Sequence, residues 1–275
     1  MPADFKKRIL SQGKRLYRDL PWRYIDDPYH VLVSEIMLQQ TQVKRVIAYW
    51  NRFISLFPSV DALASAETAL VLENWQGLGY NRRALMLKRA AEICSSNYLG
   101  EVPSRYDDLL SLPGVGPATA AGVRAFAFNL PGVYLETNVR TVFIHEFFFD
   151  QEGVKDKELI ALIEEMCPQD NPRQWYYALL DYGAFLKQTE VNPSRKSAHY
   201  TKQSTFEGSR RQKRAELLRC VLAQPGITKS ELYDCLAAFE QKAGRSIPEM
   251  DMFESILEDM LKDNFFHKSD DSFLA

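Results

Sequence analysis

Two glutamates stand at positions where a carboxyl group could take part in catalysis. Glu35 falls within an otherwise apolar helical segment that includes Val31, Ile36 and Met37. A carboxyl group in apolar surroundings has a raised pKa and can stay protonated as a general acid. Taken alone, however, Glu35 is explained more simply by a solvated face of the helix. Glu136 directly precedes a predicted helix, where a carboxylate can accept hydrogen bonds from the first N–H groups. That position suits a catalytic carboxylate and a plain helix cap alike.

A glycine-rich turn, Leu112-Pro113-Gly114-Val115-Gly116, separates two predicted helices. Its glycines allow a tight turn with positive φ, and Pro117 suits the first position of the following helix. The free backbone N–H groups of such a hairpin point outward at a helix N-terminus, where they can hold one DNA phosphate. An ordinary turn between two helices is the alternative for this short string.

The segments around these motifs are predominantly helical, and strand-like alternation is scarce. Periodicity and Gly/Pro punctuation predict helices at residues 4–19, 29–38, 42–55, 60–64, 67–73, 81–96, 105–110, 117–128, 137–147, 156–166 and 172–186. Residues 188–215 are polar and rich in Ser, Lys and Arg, which predicts an extended basic connector. Three further helices at 215–222, 228–238 and 252–263 are followed by two short strands within 265–274. This order is typical of a winged-helix module.

Composition restricts the class of protein. The 275 residues carry a formal net charge of −2, so any contact with nucleic acid depends on where the Lys and Arg side chains lie. The charged N-terminal segment lacks the apolar core of a signal peptide, and no apolar stretch is long enough to span a membrane. The four scattered cysteines form no C-x-x-C pair, which predicts reduced thiols in a cytoplasmic protein and no thiolate metal or iron–sulfur site.

Taken together, these motifs resemble the helix-hairpin-helix (HhH-GPD) superfamily of DNA glycosylases, and in particular its MutY-type adenine glycosylase branch. The resemblance rests on the hairpin and on the strings Leu20–Arg23, Asp27–Tyr29, Ser34–Val43, Trp75–Tyr80 and Asp181–Ala184, within roughly residues 5–187. It implies an all-α fold with two lobes and the active cleft between them, followed by a small C-terminal winged-helix-like module. The implied domains are a glycosylase domain at 1–190 (lobe A about 24–136, lobe B about 1–23 plus 137–190), a basic connector at 191–211 and a winged-helix-like domain at 212–275.

The resemblance also implies roles for individual residues. Glu35 matches the glutamate that protonates the leaving base, and Glu136 occupies the place of an aspartate that stabilises the oxocarbenium-like sugar. The implied DNA- or base-binding residues are Trp22, Arg23, Leu38, Gln39, Gln40, Tyr80, Gly114, Val115, Gly116, Ala118, Asn138, Tyr177, Arg210 and Arg211. A structural sodium or potassium ion at the hairpin carbonyls of Leu112 and Val115 is left open, and no other cofactor is implied.

Four departures from the family pattern change what the resemblance implies. Glu136 replaces an aspartate, and a carboxylate misplaced by about 1 Å can cost on the order of 100-fold in rate. Ala118 stands where bifunctional relatives carry a catalytic lysine, which predicts a monofunctional enzyme. Phe185–Tyr200 contains no cysteine, so we expect no iron–sulfur cluster and DNA contacts from the basic connector instead. Tyr177 and the C-terminal module differ from the parts of the family that recognise adenine and the 8-oxoguanine opposite it.

The sequence therefore predicts a monofunctional glycosylase that flips and excises a mismatched or damaged base from double-stranded DNA in base excision repair, with adenine as the first candidate. A glycosylase for thymine, a deaminated purine or another lesion is the alternative within this enzyme class. A DNA damage-recognition protein with weak catalysis is the alternative outside it. We further expect a monomer in the cytoplasm, associated with the nucleoid in a prokaryote and making no contact with membranes.

Overall fold

A computed structural model describes residues 2–275, with side chains from residue 4 onward. Its helices are α1 (Pro2–Arg15), α2 (Pro28–Leu38), α3 (Val43–Leu56), α4 (Val60–Ser65), α5 (Thr68–Trp75), α6 (Arg82–Asn97), α7 (Tyr106–Ser111), α8 (Pro117–Phe126), α9 (Thr137–Phe147), α10 (Asp156–Met166), α11 (Pro172–Thr189), α12 (Arg210–Ala223), α13 (Lys229–Lys242) and α14 (Met250–Lys262). Its strands are β1 (Ile227–Thr228), β2 (His267–Ser269) and β3 (Ser272–Leu274), and short 3₁₀ turns occur at Pro21–Arg23 and Pro193–Lys196. The predicted all-α class is confirmed. No helix within residues 2–275 combines the length and the apolar character that crossing a membrane requires.

The chain divides into two compact units. The first contains the residues up to Gln39 together with Asn97–Lys202, and the second contains Gln40–Ser96 together with Gln203–Ala275. The domain and lobe boundaries expected from the sequence stay a prediction.

The first unit is built around α11, which packs against α1, α8 and α9. Phe5 of α1 meets Phe143 and Trp175 edge to face, with ring centroids 5.7 and 5.8 Å apart. Gly183 lets α11 approach the start of α9 closely, since a Cβ at this position would stand 2.2 Å from the carbonyl oxygen of Asn138. The same unit holds α2 against α8, which brings two of the sequence motifs together.

A buried ion-pair cluster fixes the chain after α1 against α11. The Asp181 carboxylate accepts hydrogen bonds from Arg23 at 2.7 and 2.8 Å and from Nε of Arg18 at 2.5 Å. The Asp181 and Arg23 side chains are 0% and 1% exposed, so each charge depends on the other for compensation. The 3₁₀ turn that carries Trp22 and Arg23 is thereby held in one position.

The second unit combines α3–α6 with a C-terminal module. In that module α12, β1, α13, α14, β2 and β3 follow one another, and β3 pairs antiparallel with both β1 and β2. Phe273 of β3 lies opposite Ile227 on one side and Lys268 on the other. Three helices and a small sheet in this order form the winged-helix-like module that the sequence predicts. Because α12 packs on α5, the module forms one compact unit with residues 40–96.

The beginning of α12 is the main difference from the predicted helix boundaries. The helix begins at Arg210 rather than at residue 215, because the Ser209 side chain accepts the N–H of Gln212 and caps a charged first turn that lacks apolar periodicity. Arg210 and Arg211 therefore lie in a helix rather than in an extended connector. The connector also contains the Pro193–Lys196 turn, which is fixed by a hydrogen bond of 3.0 Å from the Val154 N–H to the Lys196 carbonyl.

Candidate active site

The first candidate catalytic group, Glu35, lies on α2 within the first unit. This helix begins cleanly because the Asp27 side chain accepts the N–H of His30 and Pro28 occupies the first turn. Almost all of the helix is buried, including Ile36 and Met37 directly after Glu35. Glu35 as a whole residue is half-buried, and its carboxyl group lies on the inner side against Gly122 and Tyr134. Burial of the carboxyl group raises the pKa of Glu35 from 4.5 to about 8. At neutral pH the group therefore carries a proton that it can donate.

Tyr134 is the hydrogen-bond partner of that carboxyl group. Its hydroxyl donates to Oε2 of Glu35 at 3.2 Å, and its ring meets Phe126 and Tyr176 edge to face. The backbone N–H of Tyr134 donates to the Tyr176 hydroxyl, which fixes the position of the chain at this point. Burial raises the pKa of Tyr134 well above its ordinary value, so the phenol stays a neutral donor. The bond to Glu35 stabilises the carboxylate and acts against the effect of burial on the Glu35 pKa.

Gly122 on α8 makes room for this pair. A Cβ at position 122 would stand 2.3 Å from Oε2 of Glu35 and 2.9 Å from Cε2 of Tyr134. Real side chains do not approach that closely, so any larger residue would displace the carboxyl group or the ring. The helix that follows the hairpin therefore determines where the Glu35 carboxyl group lies.

Glu136 occupies the N-cap of α9. Its Oε1 accepts the N–H groups of Asn138 and Val139 at 2.6 and 2.9 Å, so the helix-cap role that the sequence left open is present. Oε2 accepts a longer bond of 3.4 Å from the Asn138 side chain. The other side-chain atom of that amide, Asn138 Oδ1, is buried without a partner in the described part of the chain.

The electrostatic surroundings of Glu136 have opposing effects. Burial raises its pKa, whereas the two helix N–H groups and the positive charges of Lys187 and Arg140 lower it. The charge of Glu136 in turn adds to the raised pKa of Glu35. The two carboxyl groups therefore interact electrostatically, and the nearby positive charges of Lys187 and Arg140 favour the ionised form of Glu136.

Two of the predicted base-pocket residues, Arg23 and Tyr177, form a layered stack with Phe126. The Tyr177 ring lies parallel to the Phe126 ring at 4.6 Å, and the Arg23 guanidinium covers its other face at 4.5 Å. Since Asp181 already takes the Arg23 donors at both ends of the guanidinium, Arg23 presents a face rather than a hydrogen-bonding edge. Trp22, the residue before Arg23, is buried, which agrees with a role in the core.

The hairpin has the geometry that its glycines predicted. Gly114 adopts φ of +79°, Gly116 is the N-cap of α8, and both residues are exposed. The side-chain amide of Gln39 at the end of α2 donates to the Gly114 carbonyl at 3.3 Å and to the Thr119 hydroxyl at 3.0 Å. The hairpin is therefore attached to the helix that carries Glu35.

The remaining sequence candidates divide between the two units. Leu38, Val115 and Ala118 lie in the first unit with the two glutamates, whereas Gln40, Tyr80, Arg210 and Arg211 lie in the second. Arg210 pairs with Asp259 at 2.6 Å, and the Arg211 guanidinium donates to the Tyr80 hydroxyl. In the free protein both guanidinium groups therefore already have partners within the protein.

Sequence reasoning missed Tyr134 and Gly122. Tyr134 lies in an irregular stretch without periodicity or motif, and its hydroxyl reaches a residue 99 positions away. Gly122 sits in a small-residue segment, Ala120-Ala121-Gly122-Val123, that predicts core packing only. The one available signal for Tyr134 was its place two residues before Glu136.

The described residues do not fit an iron–sulfur cluster. After Ala184 the chain continues as helix to Thr189 and then enters the Pro193–Lys196 turn, with no thiol in this segment. Within residues 2–275 no group of three or more His, Cys, Asp or Glu side chains is placed to hold a metal ion.

The sequence and the fold are similar to those of known DNA repair proteins. Residues 33–169 match the family model described as HhH-GPD superfamily base excision DNA repair protein. The adenine DNA glycosylase of Buchnera aphidicola subsp. Baizongia pistaciae is 36% identical over 170 residues, which cover 62% of this chain and 48% of that protein. The thymine/uracil-DNA glycosylase of Methanothermobacter thermautotrophicus is 28% identical over 211 residues, covering 73% of this chain and 95% of that protein.

A solved structure shows the same relationship in the fold. The structure of a thermostable thymine-DNA glycosylase matches with a TM-score of 0.60 at 27% identity, covering 66% of this chain and 86% of that one. The chain spans about half the length of the adenine glycosylase named above, and nearly the whole length of the thymine/uracil enzyme.

Proposed function

Since the chain belongs to the HhH-GPD superfamily of base excision DNA repair proteins, we propose that it is a monofunctional DNA glycosylase with adenine as the first candidate base. The observation that carries the proposal is the enclosed Glu35 carboxyl group, protonated at neutral pH, held by Tyr134 and electrostatically coupled to Glu136. A protein that only binds DNA has no use for a buried carboxyl group, because burial of an ionisable group is unfavourable.

The proposed reaction breaks the bond between C1′ of the sugar and a ring nitrogen of an extruded base. Extrusion costs a few kcal/mol and is least costly at a mismatch. Glu35 donates its proton to the base, which then leaves as a neutral molecule. The Glu136 carboxylate faces the positive charge that develops on the sugar ring. Water adds its oxygen to C1′ and releases one proton, which restores the acid form of Glu35.

The extra methylene of Glu136 is accommodated by its cap geometry. With Oε1 fixed by two backbone N–H groups, the carboxylate is oriented by α9, and Oε2 is the oxygen left to stabilise the sugar. Preorganised charge of this kind is more effective than a mobile carboxylate, because no reorganisation is needed during the reaction.

We propose no covalent step and no cofactor. Ala118 offers no amine for a Schiff base, so the abasic product is expected to remain uncut. A sodium or potassium ion at the carbonyls of Leu112 and Val115 stays a prediction; the Leu112 carbonyl already accepts the Val115 N–H at 3.1 Å and keeps one lone pair. The reaction as written does not depend on such an ion.

Double-stranded DNA is the proposed partner, bound through the exposed hairpin amides of Gly114 and Gly116. Leu38, Gln39 and Gln40 are proposed to fill or flank the space that the base leaves, and Asn138, with its unpartnered Oδ1, to accept a hydrogen bond from the substrate. The monomeric state and the cytoplasmic, nucleoid-associated location remain predictions.

A glycosylase screen on labelled duplexes tests the proposal. Adenine, thymine, uracil, hypoxanthine and oxidised bases are each paired with every opposite base, and alkali then cuts the abasic sites. We expect strand cleavage only after alkali, and loss of cleavage with retained binding in Glu35→Gln. Tight binding without cleavage on any duplex would favour a damage-recognition protein instead.

Thymine or uracil is the second candidate base. It is supported by the match to 95% of the length of a thymine/uracil-DNA glycosylase and by Tyr177 in place of the glutamine expected for adenine. The same screen separates the two candidates, because each duplex carries one target base.

A further inference from the structure

The exposed side of α1 carries positive charge that none of the features described above uses. The helix contains five Lys and Arg residues and one carboxylate. Arg8 pairs with Glu146. Lys7, Lys14 and Arg15 are exposed, and none of them has a carboxylate within ion-pair distance among residues 4–275, whose side chains are described. Since the whole chain has a net charge of −2, this is a local excess of positive charge.

Close packing of α1 on α11 fixes where these charges lie. A Cβ at Gly13 would stand 2.4 Å from the Cβ of Ala178, so the two helices touch at this level. Further along α11, the Arg15 guanidinium lies 5.5 Å from the centre of the Phe185 ring. The C-terminal end of α1 therefore lies beside the second half of α11.

Lys187 on α11 extends the positive charge towards the candidate active site. It is half-buried and has no carboxylate within ion-pair distance in the part of the chain that the structure describes. Gly183, one turn earlier on the same face of α11, touches the first turn of α9 at Asn138. The charge of Lys187 favours the ionised form of Glu136. Burial lowers the pKa of Lys187, Glu136 raises it, and the charge of Arg18 lowers it. The ammonium group therefore lies near both the candidate carboxylate and the end of α1.

The spacing of the charges suits the phosphates of one DNA strand. Lys7 and Lys14 are two turns apart on one face of α1, which is about 10 Å along the helix, or the rise of about three nucleotides. Lys and Arg side chains bind phosphates with release of counter-ions and without sequence preference. The apolar face of α1 is already covered, since Phe5 and Ile9 are 3% and 0% exposed. The helix therefore has no apolar face left to enter a membrane.

We propose that the phosphates of the DNA strand that carries the extruded nucleotide bind along this surface. The phosphate track consists of Lys7, Lys14, Arg15 and Lys187, with Lys187 at the phosphate next to the reacting sugar. The choice of strand rests on the function proposed above, because it follows from the role of Glu136. The track as a surface for phosphates rests on the charges alone.

The salt dependence of duplex binding by the intact protein tests the part of the track on α1. The probe is a duplex with a tetrahydrofuran abasic analogue, which has no base to excise. Lys7→Gln combined with Lys14→Gln removes two charges from the track. Lys155→Gln combined with Lys157→Gln is the matched control, because it removes two exposed charges from the same unit outside the track.

We expect the plot of log affinity against log salt concentration to lose about 2 units of slope in the track variant, about 1 for each lysine, and to keep its slope in the control. Equal slopes in the two double variants would overturn the phosphate track along α1.

Neutral phosphates test the position of Lys187. In the same duplex a methylphosphonate replaces one phosphate at a time on either side of the abasic analogue. We expect one replacement to weaken binding by the original protein and by Lys187→Arg, but not by Lys187→Gln, which has already lost the partner charge. Losses of equal size in all three proteins at every phosphate would overturn Lys187 as a phosphate ligand.

Neither measurement involves base excision. Failure of the glycosylase screen would therefore leave both measurements intact. An unchanged salt slope would in turn leave the glycosylase proposal intact.

Discussion

At the scale of single residues, the candidate site is one carboxyl group whose proton is controlled by its neighbours. Burial raises the pKa of Glu35 to about 8, and the Tyr134 hydroxyl lowers it. Since the acid form is the reactive one, excision should be independent of pH below about 8 with respect to Glu35 and fall above it. Glu136 must be ionised, so its raised pKa sets the acidic limb of a bell-shaped profile.

Tyr134→Phe is expected to move the alkaline limb of that profile to higher pH. The variant keeps the ring but removes the hydrogen bond that favours the carboxylate, so the Glu35 proton is held more tightly. The measurement is the single-turnover excision rate as a function of pH. Tyr182→Phe is the control, because its hydroxyl donates to Glu146 at 2.9 Å and does not touch Glu35. A limb that stays in place or moves to lower pH would contradict the assigned role of Tyr134.

Gly122→Ala should lower the excision rate while duplex binding persists. The new Cβ would displace the Glu35 carboxyl group, from which it stands only 2.3 Å away, and a displacement of about 1 Å can cost on the order of 100-fold in rate. Gly132→Ala is the matched control, since a Cβ there meets nothing within 4 Å. Equal rates in the two variants would show that Gly122 does not position Glu35.

These residues show what the sequence could and could not predict at this scale. Glu35 and Glu136 were found because their segments are regular and resemble a known motif. Tyr134 and Gly122 act through contacts across the fold, to a carboxyl group 99 and 87 positions away, and neither residue type signals such a contact locally. The ion pair of Arg23 with Asp181 could not be predicted from the sequence for the same reason, because the two residues are 158 positions apart.

At the scale of elements, the hairpin is connected to α2 and to α8 by direct contacts. Gln39 attaches the hairpin to α2, and α8 carries Gly122 beside Glu35. Movement of the hairpin on binding a DNA phosphate would therefore displace the Glu35 carboxyl group, through Gln39 on one side and through Gly122 of α8 on the other. The first residues of α2 and α8 were predictable from Asp27, Pro28 and Pro117, because caps and prolines act locally. The two-residue strand β1 was not, because its pairing with β3 is formed by residues 46 positions apart.

Gly114→Ala is expected to weaken duplex binding in addition to lowering stability. An alanine at φ of +79° is strained by roughly 1–2 kcal/mol, and relief of that strain by backbone rotation would turn the hairpin amides away from the proposed phosphate position. Gly153→Ala is the control, since Gly153 has φ of +69° and open space but lies outside the hairpin. Denaturant midpoints should fall similarly in both variants, and duplex affinity should fall in Gly114→Ala only. Equal affinities would argue against a phosphate at the hairpin.

At the scale of the whole molecule, the features described above are distributed over the two compact units. The first contains both glutamates, the hairpin and the aromatic stack on Tyr177, and the second contains the pocket beside residues 76–81 and the winged-helix-like module. The chain changes unit between Gln39 and Gln40, two neighbours with different predicted DNA contacts. The sequence predicted the order of the elements. The association of residues 40–96 with residues 203–275 depends on packing of α12 on α5, which no local pattern encodes.

The stability of the first unit should depend on the Asp181 cluster more than on any exposed ion pair. Asp181→Asn leaves Arg23, which is 1% exposed, without its charge partner, and breaking such a buried pair typically costs about 3–5 kcal/mol. For a chain of this size that corresponds to a melting temperature lower by roughly 6–20 °C. Asp156→Asn is the matched control: it breaks the pair with Arg140 at 2.8 Å, whose side chains are 18% and 30% exposed, and should cost about 1 kcal/mol or less. Thermal unfolding followed by circular dichroism measures both variants. Equal losses would mean that the loop after α1 is held by its packing on α11 and that the buried charges contribute no more than a surface pair.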